Sequence, residues 1–163
     1  MGISVALVVV VIAGVIALGS TYPFHASCKL DWTVSTNCSA AMTAIENQFT
    51  AWADDSNCPQ HDNERCFYTL KSKNGDTIKG THKTPVKEYV DDLTFTFTTS
   101  GQSCKIHGFS TSETWYAVLD YSTNYCNLHN LAEGAGLTKM AGFTETTSDS
   151  ICTQYSSRNC DKY

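Results

Sequence analysis

Residues 92–99 read Asp-Leu-Thr-Phe-Thr-Phe-Thr-Thr. Leu93, Phe95 and Phe97 alternate with Thr94, Thr96 and Thr98, the two-residue period of a strand with one face on a core and the other in water. Phe and Thr both suit a pleated, half-buried surface. This stretch decides the fold class because its neighbours repeat the pattern. Upstream, Glu64 to Lys73 alternates into Asn74-Gly75, a pair that accepts the positive φ angles of a tight hairpin turn, and Thr77 to Lys83 returns. Pro85 interrupts, and Val86 to Val90 makes a connection. Downstream, Ser100-Gly101-Gln102 turns the chain into a strand over Cys104 to Phe109. Thr114 to Tyr121 (Thr-Trp-Tyr-Ala-Val-Leu-Asp-Tyr) is apolar in both phases, which predicts a central strand covered on both faces. Lys29 to Val34 predicts a short strand with Leu30, Trp32 and Val34 on one side.

One segment changes period. Cys38, Met42, Ile45, Phe49 and Trp52 recur at intervals of four and three residues, the stripe of an amphipathic helix over residues 39–53. Asp54-Asp55 and Asn57-Cys58-Pro59 end it. After Cys126, Asn127 to Leu131 reads as a strand or a helical turn, Gly134, Gly136 and Gly142 mark a loop, and Phe143 to Tyr155 holds at least one short strand. The expected fold class is α+β, mostly antiparallel β, with one N-terminal helix (39–53) packed on a six- to seven-stranded meander. A sheet closed into a barrel is the alternative.

Residues 1–20 read as an export signal. Ile3 to Leu18 is apolar throughout, no charge precedes Lys29, and Ala17, Gly19 and Ser20 supply small residues for cleavage. The n-region lacks Lys and Arg, and the run is long for a signal yet short for a span, so a retained anchor is the alternative. Residues 21–163 are then one disulfide-bonded extracellular domain, close to the commonest domain size. Charged residues make up 17% of the chain and aromatic ones 11%, the composition of a globular protein rather than a disordered one. The formal net charge of -5 excludes nucleic acid and anionic membrane surfaces, which require Lys/Arg clusters. A membrane enters only through a retained leader.

Cys28, Cys38, Cys58, Cys66, Cys104, Cys126, Cys152 and Cys160 all follow the leader, and their number is even. Zinc sites favour cysteines two to four residues apart, which no neighbouring pair here satisfies, so disulfides are expected in an oxidising compartment. Sequence leaves their pairing open. Cys58–Cys66 and Cys152–Cys160 are candidate local closures. Asn37-Cys38-Ser39 is an N-glycosylation sequon.

Val118 to Cys126 (Val-Leu-Asp-Tyr-Ser-Thr-Asn-Tyr-Cys) resembles the strand-turn-strand segment that lipocalins carry late in their barrel, with Asn127 to Leu131 as the second strand. The resemblance covers residues 118–131. It implies a closed calycin-like barrel that carries a small hydrophobic ligand. The Gly-x-Trp of the first lipocalin strand is missing, Asp31-Trp32 being a partial match, and the helix here precedes the strands. Helix-then-meander order is also similar to cystatin-like folds. Their protease-binding Gln-x-Val-x-Gly and Pro-Trp hairpins are absent, so such a shape would not imply protease inhibition.

No catalytic, metal or cofactor signature emerges. His25, His61, His82, His107 and His129 form no pair with metal-ligand spacing. Asp91-Asp92 points to opposite faces of a strand, and Glu113 and Asp120 bracket another, as rim residues would. Trp32, Phe95, Phe97, Trp115 and Tyr116 would line whatever the sheet encloses, unless they simply pack its core. The expected function is a secreted, non-enzymatic binding protein carrying a small apolar ligand inside a curved sheet. An extracellular protein–protein interaction module is the alternative, and an extracellular hydrolase a third reading.

Overall fold

The computed structural model describes residues 25–163 apart from Trp115; the leader (1–20) lies outside the described residues. Strand β1 (Ser27–Val34) leads into helix α1 (Cys38–Ala51), followed by β2 (Tyr68–Asn74), β3 (Thr77–Lys83), β4 (Val90–Ser100), β5 (Ser103–Ser112), helix α2 (Thr123–Gly134) and a short β6 (Thr144–Thr146). The strands form one open antiparallel sheet in the order β2-β3-β4-β5-β1-β6. The fold is therefore α+β, as expected, but the sheet does not close into a barrel. Only β2 to β5 run as a meander. β1 is inserted beside β5, so α1 has to carry the chain across the sheet from β1 to β2 at its far edge.

Alternation sets the faces. Cys28, Leu30, Trp32 and Val34 of β1, Leu93, Phe95 and Phe97 of β4, and Cys104 and Ile106 of β5 are all buried on the inner face. Lys29, Asp31, Asp92, Lys105 and His107 lie on the exposed outer face. Both helices cover the inner face. α1 seats Ala41, Met42, Ile45 and Phe49 there, and the Phe49 ring meets Tyr68 at 6.0 Å and Phe95 at 6.2 Å, edge-on in both cases. Gly80 makes room for it, since a Cβ at that position would stand 2.4 Å from Phe49 Cε1 and 2.6 Å from the Thr69 carbonyl oxygen. Asn37 caps α1 by accepting from Ala40 N at 2.8 Å through Oδ1, leaving the sequon's Nδ2 out of the cap.

A second helix adds to the one expected, and residues 127–131 take the helical of their two readings. The segment expected as a central strand at 114–121 is instead irregular, with no ladder among its described residues. The lipocalin-like stretch is accordingly a loop followed by a helix rather than two strands. Its apolar phase misled because nine of the twelve residues of α2 are buried, leaving no polar face to set a helical period.

Four disulfides staple the domain: Cys28–Cys152, Cys38–Cys104, Cys58–Cys66 and Cys126–Cys160. The expected Cys58–Cys66 closure forms, while Cys152–Cys160 does not. Cys152 instead meets Cys28 across an isolated antiparallel bridge, and Cys160 ties the C-terminal segment to α2. By loop-closure entropy, the bridges contribute about 2.5 kcal/mol for the shortest loop and about 5 kcal/mol for the longest. Four disulfides fit a secreted or extracellular protein. No helix among the described residues is long and apolar enough to cross a membrane.

Replacing Gly80 with Ala should drive the new methyl into Phe49 and the β2 backbone. We expect a loss of about 1–3 kcal/mol, read as a lower midpoint in urea unfolding with an unchanged slope.

Candidate functional site

The register that aligns the core also builds a polar row. Phe95 pairs with Ile78 and Gly108, Leu93 with Gly80 and Ser110, and Asp91 with His82 and Ser112. Moving along β4 from Phe97 toward Asp91, the inner face thus changes from aromatic to polar. His82, Asp91, Ser110 and Ser112 are all buried, and α2 answers them with Asn124, Asn127 and Asn130, spaced three apart and equally buried. Asn127 Nδ2 donates to Asp91 Oδ2 at 2.7 Å and reaches Ser110 Oγ at 3.4 Å. Ser110 Oγ donates to Asn124 Oδ1 at 2.6 Å, and Asn124 Nδ2 donates to Asp120 Oδ2 at 2.7 Å. A continuous hydrogen-bond chain therefore joins two carboxylates through the base of the domain.

The Asp120 carboxylate also accepts from the backbone N–H groups of Ser122 and Asn124, both at 3.1 Å, and so caps α2 from outside the helix. Tyr121 and Ser122 between them hold positive φ angles of 54° and 71°. Two consecutive non-glycine residues in the left-handed region cost of order 1–3 kcal/mol each. Gln154 holds them there, its Oε1 accepting from the backbone N–H of Asp120 and of Tyr121.

Above this base lies a cleft of about 490 Å³. Its floor carries the carboxylates of Asp91, Asp120 and Glu64. Glu64 arrives on the loop closed by Cys58–Cys66, and the adjacent Arg65 pins that loop by a 2.8 Å ion pair with Glu133 of α2. Tyr89, Tyr116, Val118, Leu119 and Tyr121 form the rim, each between 51% and 67% exposed. The ring of Tyr163 stacks on Tyr121 at 6.1 Å, and the main-chain oxygen of Tyr163 accepts from Asn130 Nδ2 at 2.8 Å. A second hollow of about 510 Å³ lies near Phe67, Lys71, Lys83, Asp92 and Glu113, but its walls are largely charged or hydroxylic and carry no comparable apolar rim.

Charge on the cleft floor is poorly supported. Burial, reinforced by the nearby Asp91, pushes Glu64 up to about 7, and its Oε2 is enclosed without a hydrogen-bond partner. Burial likewise raises Asp91 to about 6 against the lowering effect of the Asn127 and Ser112 hydrogen bonds. Asp120 is raised by burial too. His82, stacked on Tyr68 at 4.4 Å, is pushed down to about 4 by burial and is neutral. Its ring nitrogens face the Glu64 and Cys66 backbone and the Asn127 amide without closing a hydrogen bond. A Ser-His-Asp relay needs the imidazole bonded between the other two groups. Here Asp91 stands between His82 and Ser112, and no such relay forms.

Glu145 shows the opposite electrostatics. It accepts from Trp32 Nε1 at 2.8 Å, Tyr125 OH at 3.0 Å and Tyr155 OH at 3.1 Å, with His129 Nδ1 at 3.8 Å. These donors outweigh its burial and hold it down to about 2. The cluster ties β6 to β1, α2 and the C-terminal segment, a structural role.

Of the residues expected to line a cavity, Trp32, Phe95 and Phe97 are fully packed in the core. Trp32 stacks on Phe95 at 6.3 Å, and neither cleft touches them. Tyr116 lies on the cleft rim, and Trp115 is outside the described residues. Sequence reasoning missed Glu64, Asp91, Val118, Leu119 and the α2 asparagines as members of one site. The three-residue spacing of Asn124, Asn127 and Asn130 was the available signal. Among the described residues, no group of three or more His, Cys, Asp or Glu could share a metal ion.

No protein-family model matches the chain, and no curated protein matches it. Among solved structures, the open form of pp63/parafusin, a phosphoglucomutase from Paramecium, aligns with 72% of this chain at 10% identity and a TM-score of 0.34. The alignment spans 22% of that protein's length, and a likeness this slight carries no functional argument.

The two carboxylate environments predict opposite pH effects. Glu64 and Asp91 bind protons more tightly folded than unfolded, so their destabilising effect is absent below about pH 4 and complete above about pH 7. Glu145 stabilises above its unfolded value of 4.5, and that contribution is lost as pH falls through about 2. Stability should therefore peak near pH 4–5. Glu64→Gln should raise the thermal midpoint at pH 8 by an amount equivalent to about 1–3 kcal/mol and leave it unchanged at pH 4, as scanning calorimetry of the two proteins can check.

Proposed function

We propose that the chain is a secreted, disulfide-braced binding protein that takes a small, partly apolar ligand in the tyrosine-rimmed cleft. One observation carries this reading. Apolar side chains that should be covered in a folded domain, namely Tyr89, Tyr116, Val118, Leu119 and Tyr121, are instead gathered and exposed around one concavity. The reading moves the ligand out of the sheet, whose inner face is filled by its own side chains and those of the helices, to the polar end of that face. The concave shape favours a small molecule over a macromolecular partner, which would need a broader contact area.

Support also comes from how the rim is held. Cys126–Cys160 anchors the segment that ends in Tyr163, Gln154 anchors Tyr121, and Cys58–Cys66 fixes the Glu64 loop. A rim fixed in this way loses little conformational entropy when a ligand binds.

Nile red, a neutral apolar dye, should gain fluorescence with the full chain and be displaced by a cleft ligand. Leu119→Ser and Tyr121→Ser, both at exposed positions, should weaken the dye by about tenfold together while leaving the thermal midpoint within about 1 °C. Equal dye binding by the variants would place any apolar site elsewhere and contradict the reading.

A further inference from the structure

We propose that the ligand of this cleft is an organic ammonium ion, its apolar or aromatic body against Tyr116, Val118, Leu119 and Tyr121 and its amine among Glu64, Asp91 and Asp120. The inference rests on the cleft being a ligand site and names the class of molecule it takes.

Charge complementarity carries the choice. Three carboxylates line the cleft against a single ammonium group, that of Lys87, which is itself exposed. Lys162 lies within electrostatic reach of Glu64 but sits over the Tyr163 ring at 4.8 Å, in water. Arg65, next to Glu64 in the chain, is committed to Glu133 and the Cys160 carbonyl oxygen. Among the described residues, no side-chain cation is therefore bonded to the floor carboxylates, and an anionic ligand would meet net repulsion. His82, buried behind Asp91, is neutral and supplies no charge.

The spacing of the acids distinguishes between cations. A bare metal ion needs several ligand atoms converging on one point, and among the described residues no three acidic, His or Cys side chains converge in that way. An alkylammonium presents up to three N–H donors that diverge from one nitrogen, which suits separated acceptors. Glu64 Oε2 is enclosed without a donor, and Asp91 already has its Oδ2 held rigid by Asn127. A ligand ammonium in the cleft would offset the charge of a carboxylate that no donor inside the protein relieves. The tyrosine rim suits the same class, because aromatic faces attract a cation and cover the apolar body beside it.

The test is calorimetric titration of the full chain at pH 8 with three probes of nearly equal shape: 2-phenylethylamine, 2-phenylethanol and 3-phenylpropanoate. The amine should bind about tenfold or more tighter than the alcohol, the worth of a charge-assisted hydrogen bond, and the carboxylate should bind weakest. Glu64→Gln and Asp91→Asn should remove the preference for the amine, so that the amine and the alcohol bind within about twofold of each other. Both replacements substitute a neutral isostere for a poorly supported buried charge, and circular dichroism confirms that the variants fold. Alcohol or carboxylate binding as tight as the amine would overturn the ammonium inference while leaving the cleft as an apolar ligand site. Failure of all three probes, with Nile red still bound and sensitive to Leu119→Ser, would also overturn it. Failure of the dye test as well would remove the site itself.

Discussion

Two adjacent positions on the inner face of β4 impose conflicting demands. Leu93, with Phe95 and Phe97 beyond it, needs an apolar cover, whereas Asp91, two residues earlier on the same face, needs hydrogen-bond donors. The two helices divide the task. α1 brings Ile45 and Phe49 to the apolar end, and α2 brings leucines to the sheet and asparagines to the polar end. The placement of α2 is thus determined by both halves of one strand. Leu128 packs at Gly108, where an added Cβ would come within 3.4 Å of its Cδ1, while Asn127, one residue earlier, reaches Asp91.

Much of this frame is legible in the sequence. The 92–99 alternation, the Asn74-Gly75 turn and the 39–53 stripe each reflect a local period with one buried face, and each element forms close to its expected bounds. Elements without a one-sided pattern were not legible. α2 is buried nearly all round, between the sheet and a C-terminal segment held by Cys126–Cys160, so its sequence shows no polar face. Residues 114–121 failed for the opposite reason. Their apolar side chains resemble a buried strand, but several are on the surface, around the cleft. Disulfide pairing depends on strand order, and the insertion of β1 beside β5, which brings Cys38 to Cys104, is invisible in local periodicity.

Several departures from local rules border the cleft. Tyr89, Tyr116, Val118, Leu119 and Tyr121 are exposed there, Tyr121 has a left-handed φ angle, and the carboxyl groups of Glu64 and Asp91 are pushed toward neutrality, whereas Leu70, Val86 and Ile151 are exposed elsewhere. Each lowers stability, and the disulfides offset that cost by restricting the unfolded chain. Glu145 provides an internal contrast. It is a carboxylate of similar burial that is fully supplied with donors and held far below its ordinary value. The domain is therefore able to satisfy a buried acid, and at the cleft floor it leaves Glu64 without a partner.

The central claim is that burial at the cleft floor raises the carboxyl groups of Glu64 and Asp91, Glu64 Oε2 having no donor, and a direct measurement is the titration of the individual carboxyl carbons by ¹³C NMR in the ligand-free chain. The account predicts midpoints near 7 for Glu64 and near 6 for Asp91, with Glu145 still ionised down to about 2. Titration of Glu64 and Asp91 at the ordinary values of 4.5 and 3.8 would contradict it.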